Sequence, residues 1–292
     1  MMSLDGKYIA ISISDAPDRE RLGFPQREID RALATICTAL VRAGADIVYG
    51  GNLDPDGYTF KIFRNLAGAY PGKRKDTPFH HVVAEPVGRG TRYETLLSAV
   101  KEGRGTVRTQ LARGDLLFVA RPGDGGVRLG GETVTDDAQL VAWFASVPAI
   151  SIQEGHTRAR ALATQLVDAR VILGGKMGLL ADAADRYDGA MPGIAEEAIM
   201  TLEADKPLLV LGAFGGVSRD IAIGLDLLDP ASRVPRGDQA PSYAASISHV
   251  ERLRSKIPDA IRSDLSRIAD DDRSEQTAFA LTSLINRWLA IR

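Results

Sequence analysis

The stretch RVILGGKMGLLADAADRYDGAMPGIAEEAIM, residues 170–200, sets an apolar run against Gly174-Gly175-Lys176 and then places Pro192-Gly193 and the pair Glu196-Glu197 at a helix start. A short apolar run closed by glycines and followed by a helix is the repeating step of a parallel sheet. Working outward, the same step recurs. Strands are expected at KYIAISIS (7–14), DIVYGG (46–51), HHVVAEP (80–86), GDLLFVARPGDGG (114–126), PAISIQ (148–153), ARVILGG (169–175) and KPLLVLGAFGG (206–216). Between them, Ile29, Leu33, Ile36, Leu40 and Val41 mark an amphipathic helix over 26–43 that Gly44 can end. Further helices are expected at YTFKIFRNLAGAY (58–70) and DAQLVAWFA (137–145), the latter opened by Asp136 with Gln139 in a capping-box relation. Three more follow at about 156–167, 194–204 and 217–228. The expected class is α/β, a doubly wound and mostly parallel sheet.

The last sixty residues break the pattern. PASRVPRGDQAPSYA (230–244) is rich in turn formers, and no strand pattern returns after it. Residues 248–269 and 274–290 read as two amphipathic helices parted by a solvated Asp270-Asp271-Asp272 turn; Leu281, Leu284, Ile285 and Trp288 form an apolar stripe on the second. The expected organisation is one sheet domain over 1–229 and a linker with small C-terminal helices over 230–292. The stripe is expected to pack on the sheet domain, form a contact between copies, or receive a protein partner.

Composition narrows the function classes. The chain has 292 residues, 45% of them apolar, enough for a sizeable core. Lysine and arginine total 36 against 38 acidic residues, a formal net charge of -2, which argues against nucleic acid as a partner; the short basic run GKRKD (72–76) reads as a solvated loop. The N-terminus lacks a signal-peptide pattern and no run approaches a membrane span, so a cytoplasmic, membrane-free protein is expected. The single cysteine, Cys37, falls within the first helix and reads as core. His80, His81, His156 and His249 show no zinc-ligand spacing, and no phosphate-loop lysine motif or nucleophile-elbow serine motif occurs, so no metal and no cofactor are expected.

Four expected strand exits carry paired glycines: Gly50-Gly51, Gly125-Gly126, Gly174-Gly175 and Gly215-Gly216. In an open parallel sheet, ligands bind beyond the carboxyl ends of the strands, where glycines admit a phosphate and helix starts offer N–H donors. Lys176 follows its glycine pair, and Arg158 and Arg160 precede that strand, so cations are expected at the same rim. Gly193 allows close approach of a ligand after Pro192, and Glu196 and Glu197 fall in the first helical turn, where they suit the helix dipole or accept bonds from ribose hydroxyls.

VYGGNLDPDGYT, LGGKMG, GAMPGIAEEA and PLLVLGAFGG, in that order, resemble the SLOG superfamily. This Rossmann-like group includes Smf/DprA DNA-processing proteins, Lonely Guy hydrolases, and the ligand-sensing domains of TRPM channels and the Thoeris antiphage effector. The resemblance spans residues 5–228 and is nearest the sensor branch. It implies a pocket for a nucleotide-derived small molecule of the ADP-ribose or cyclic ADP-ribose type. Carried over, the contacts would be Arg158 or Arg160, Lys176, and Glu196 or Glu197. Beside them, the strand exits themselves put Gly50, Gly51, Gly174, Gly175, Gly215 and Gly216, with Pro192 and Gly193 at the helix start, where a backbone can closely approach the ligand. Thr59 would add a hydroxyl.

The hydrolase branch carries PGG-x-GT-x-x-E instead. Aligned on Pro192-Gly193, its second glycine becomes Ile194, its GT becomes Glu196-Glu197 and its catalytic glutamate falls on Met200. RPGDGGVRLGGETVTDD (121–137) offers a second match with Glu132 or Asp136 as acid, again at the wrong spacing. The expected function is therefore ligand binding or sensing. The alternative is a nucleotide N-glycosidase in which Glu196 or Glu197 supplies the carboxylate. A homo-oligomer is expected, with the C-terminal helices as a further surface for a protein partner.

Overall fold

The computed structural model describes residues 3–54, 60, 63, 66, 67, 77–103 and 105–291. Thr59, most of the expected helix over 58–70 and the run 72–76 lie outside the described residues. The chain forms two compact units, residues 1–45 with 167–292, and residues 46–166.

The first unit opens with β1 (Tyr8–Ser14) and α1 (Gln26–Arg42). The second unit follows with β2 (Asp46–Gly50), β3 (Phe79–Val83), α2 (Glu85–Gly90), α3 (Tyr93–Glu102), β4 (Val107–Arg113), β5 (Leu116–Gly123), β6 (Gly126–Leu129), β7 (Glu132–Val134), α4 (Asp137–Ala145) and α5 (Ile152–Leu166). The chain then returns to the first unit with β8 (Ala169–Gly174), α6 (Gly193–Glu203), β9 (Leu208–Leu211), α7 (Gly216–Gly224), α8 (Pro241–Arg252), α9 (Asp259–Ala269) and α10 (Ser274–Ile291). This is a mixed α/β, Rossmann-like chain, mostly parallel in its strand pairing, with a C-terminal helical segment.

In the first unit β8 lies between β1 and β9, parallel to both, with Ser14 opposite Gly174 and Leu173 opposite Leu211. All of β8 is buried, as expected of a strand that reads as a continuous apolar run. The stripe Leu281, Leu284, Ile285 and Trp288 on α10 is buried and packs against α1, whose Ile29, Leu33, Ile36 and Leu40 are buried in turn. Cys37 is a core residue of α1, and burial pushes its thiol pKa up.

In the second unit β2, β3 and β4 are parallel, whereas β5, β6 and β7 form an antiparallel meander from β4. That meander corrects the expectation that Gly125-Gly126 sits on the same sheet edge as the other glycine pairs. Asp124-Gly125 is the two-residue turn of the β5–β6 hairpin, with Gly123 paired to Gly126, and β5 runs opposite to β2–β4. Gly130-Gly131 is the next hairpin turn, so RPGDGGVRLGGETV is a meander. Asp136 caps α4 as expected, its Oδ1 accepting from the Gln139 amide at 2.8 Å.

Two further expectations are corrected. PAISIQ is no strand: the Ser151 hydroxyl accepts from the Glu154 amide at 3.1 Å and α5 begins at Ile152. The single helix expected over 248–269 is the end of α8 and the whole of α9, parted by residues 253–258, with a 3-10 turn at Arg254–Lys256 and Pro258, whose ring suits a helix start and not an interior, just before α9. α2, α3 and β4 had no counterpart in the sequence reading.

Candidate functional site

Gly174 ends β8, and Gly175 follows it, at the carboxyl edge of the first unit's three parallel strands. The Gly175 amide donates to Ser14 O at 3.0 Å, and its carbonyl accepts from the Val217 amide at 3.1 Å. Both Gly175 and Gly216 have positive φ, and neither has room for a side chain. A Cβ on Gly216 would lie 2.5 Å from Gly175 O; one on Gly175 would lie 2.6 Å from Val217 Cγ1 and 2.9 Å from Ile194 Cδ1. The glycines therefore let the first turns of α6 and α7 close onto one backbone turn, with Gly215 as the residue before α7. Two helix starts, each a cluster of N–H donors carrying partial positive charge, meet there.

The two starts are treated differently. Asp18, from the segment after β1, accepts from the Gly216 amide at 2.6 Å, so α7 is capped by a carboxylate of the chain itself. That carboxylate is buried, and burial raises its pKa against the lowering effect of the Gly216 bond. Behind it, Asp220 takes a two-pronged contact from Arg236 and a bond from the Tyr243 hydroxyl. Burial and the Asp220 charge drive the Tyr243 pKa well up. The start of α6, by contrast, has Pro192 at its cap position and no side-chain cap, with Gly193 as its first residue.

Around this turn the chain is tied down. Lys176 Nζ donates to Arg186 O at 2.5 Å. The Asp185 carboxylate accepts from the Met177 amide at 2.9 Å and the Leu179 amide at 2.7 Å; burial raises its pKa, opposed by those amide bonds. Ala240 N to Gly178 O at 2.8 Å pins the same loop to the segment before α8. Glu196 is buried. Glu197 meets Arg170 at 3.2 Å, and Arg170 also donates to Ser12 Oγ at 2.7 Å and Thr201 Oγ1 at 2.9 Å. A buried arginine near the start of β8 thus holds the Glu197 carboxylate of α6.

Of the residues singled out in the sequence, Gly174, Gly175, Lys176, Pro192, Gly193, Glu196, Glu197, Gly215 and Gly216 lie in the first unit, along β8, β9 and the starts of α6 and α7. Gly50 and Gly51 end β2 in the second unit, where Gly51 N donates to Val82 O at 3.3 Å. Arg158 and Arg160 are on α5 of that unit; Arg158 pairs with Glu154 at 2.7 Å and Asp115 at 3.5 Å, and the Glu154 bond raises its pKa. Sequence reasoning missed Asp18, Arg170, Asp185, Asp220, Arg236 and Tyr243. Two of them carried a signal: Asp18 follows a strand exit, and Arg170 is a charge inside an apolar run.

No helix of the described residues is long and apolar enough to cross a membrane. A search of curated proteins finds no match to the chain. The model of the family SLOG cluster2 matches residues 3–257, a span that includes the glycine turn, Lys176, both glutamates and the Asp220–Arg236–Tyr243 cluster. The chain belongs to the SLOG cluster2 family.

Proposed function

We propose that the protein binds a nucleotide-derived ligand at the carboxyl edge of β1, β8 and β9, with its phosphate on the opening amides of α6 and on Lys176. The observation that carries this reading is the pair of helix starts closed onto Gly174-Gly175. Asp18 occupies the opening amide of α7, whereas α6 opens at Pro192 without a side-chain cap, which leaves its opening amides for a ligand. Arg170 holds Glu197 at the same helix, where its carboxylate, 17% exposed, can accept from ribose hydroxyls with Glu196 beside it. SLOG cluster2 membership supports nucleotide-related binding or processing. The resemblance to the TRPM and Thoeris sensors narrows the ligand to the ADP-ribose or cyclic ADP-ribose type.

The test is calorimetric titration of the full chain with ADP-ribose, cyclic ADP-ribose isomers, NAD and AMP, followed by chromatography of each mixture. Saturable binding without product, weakened about tenfold or more in Lys176→Ala, is expected for loss of one charge-assisted contact. Release of a free base or ribose phosphate, abolished in Glu196→Gln or Glu197→Gln, would make the site an N-glycosidase instead. Silence toward all four ligands would overturn the reading.

A further inference from the structure

Side chains alternate across a strand, and the register of the strands from β4 to β7 gathers arginines on one face of the second unit. Ala120, Val127, Leu129 and Val134 face the unit's core. The opposite face carries Arg121 of β5 directly across from Arg128 of β6, and Arg128 in turn directly across from Thr133 of β7. All three are exposed. Arg108 and Gln110 of β4 share that face, with Gln110 opposite Val119 of β5. The next row beyond the arginine pair is Gly123 opposite Gly126, so it adds no side chain.

Like charges directly opposite on neighbouring strands, with Cβ atoms about 5 Å apart, destabilise the pairing. Arg89, Arg113 and Arg158 of the same unit are each tied down, to Glu85, Trp143 O and Glu154. Among the described residues, the guanidinium groups of Arg108, Arg121 and Arg128 meet no carboxylate and no carbonyl. The acids nearest along the strands do not neutralise them. Glu132 pairs with Arg113 at 3.9 Å, and Asp124, in the β5–β6 turn, pairs with neither Arg121 nor Arg128. Gln110 is 7% exposed, and its Nε2 has no acceptor. A buried donor without an acceptor thus shares a face with cations that have no anion.

We infer that this face is an anion site for a phosphate monoester, with Arg121 and Arg128 as its forks and Arg108, Gln110 and Thr133 as further donors. A monoester carries about two negative charges near neutral pH and three terminal oxygens. Two guanidinium forks balance that charge and bond those oxygens in parallel pairs. A dianion held between the arginines replaces their repulsion with attraction to a shared partner, and the glycine row leaves it room over the backbone. The inference is independent of the proposed ligand site, which lies in the first unit.

Thermal unfolding of the full chain at about pH 8, in sodium phosphate and in sodium chloride of equal ionic strength, tests it with Arg121→Gln and Arg128→Gln. In chloride each variant is expected to melt at or above the wild-type temperature, because no ion pair is lost and a repulsion is removed. In phosphate the wild type should gain more than either variant, and calorimetric titration with inorganic phosphate should show affinity about tenfold or more weaker in each. The same losses are expected when the substitutions are made in the Lys176→Ala chain, which separates this site from the proposed ligand site. Glycerol 3-phosphate and a phosphoserine peptide, titrated in parallel, tell a small molecule from a modified protein by which binds more tightly. A phosphate effect no larger than that of chloride, or one that survives both substitutions, would overturn the inference. So would variants that melt below the wild type in chloride, or a single-stranded oligonucleotide without terminal phosphate that binds more tightly than either monoester and is lost in the same variants.

Discussion

Asp18 shows how much a single buried carboxylate decides at this edge. It is 5% exposed, accepts the Gly216 amide and feels both Arg236 and Asp220. Its folded pKa is raised, chiefly by burial, so the folded state holds its proton more tightly than the unfolded chain does. The stabilising contribution of that proton is fully present below the unfolded carboxylate pKa and is lost as pH rises through the folded value. Asp18→Asn keeps an oxygen acceptor for Gly216 and removes the titration. In urea unfolding, wild type should therefore gain stability relative to Asp18→Asn as pH falls from about 7 toward about 4. A difference that does not change with pH would contradict the assignment. None of this was legible in the sequence, because the Asp18–Gly216 contact joins residues 198 apart in the chain. Arg170 and Glu197 were each visible as charges, but their pairing depends on how α6 lies against β8. Lys176, Gly174 and Gly175 were legible because strand, turn and cation are adjacent.

At the scale of elements, the helix α10 shows what amphipathic spacing can and cannot say. The stripe of Leu281, Leu284, Ile285 and Trp288 was readable from spacing alone, but its partner was not, and the structure supplies α1. Trp288 is 3% exposed in that contact, whereas Phe279 on the same helix is 78% exposed. Trp288→Ala should cost about 3–5 kcal/mol in chemical denaturation, while Phe279→Ala should stay within about 0.5 kcal/mol of wild type. Similar losses in both would contradict the packing described. Where element reading failed, a local rule had competed with a longer-range one. The alternation in PAISIQ mimicked a strand, but Ser151 was placed to start a helix. Gly125-Gly126 resembled a ligand-binding strand exit, and only the antiparallel pairing of β5 showed it to be a hairpin turn. The expected helix over 248–269 ignored Pro258. Along β4, VRTQLAR alternates too weakly to announce a strand, and it is set by β3 on one side and β5 on the other.

For the molecule as a whole, the α/β class followed from the repeated step of apolar run, glycine turn and helix, and membership of the SLOG superfamily followed from four motifs in a fixed order. Those are local patterns repeated along the chain. The parting of the chain into residues 1–45 with 167–292 and residues 46–166 is a property of non-local contact, and spacing in the sequence does not encode it. The central claim concerns the first of these units: a nucleotide-derived ligand rests on the glycine turn after β8 and on the start of α6. Hydrogen–deuterium exchange of the full chain, with and without saturating ADP-ribose, tests it most directly. The account predicts slowed exchange in peptides spanning 174–178 and 192–198, and unchanged exchange in the α4 peptide over 137–145. Binding that leaves both of the first two segments unprotected would contradict it.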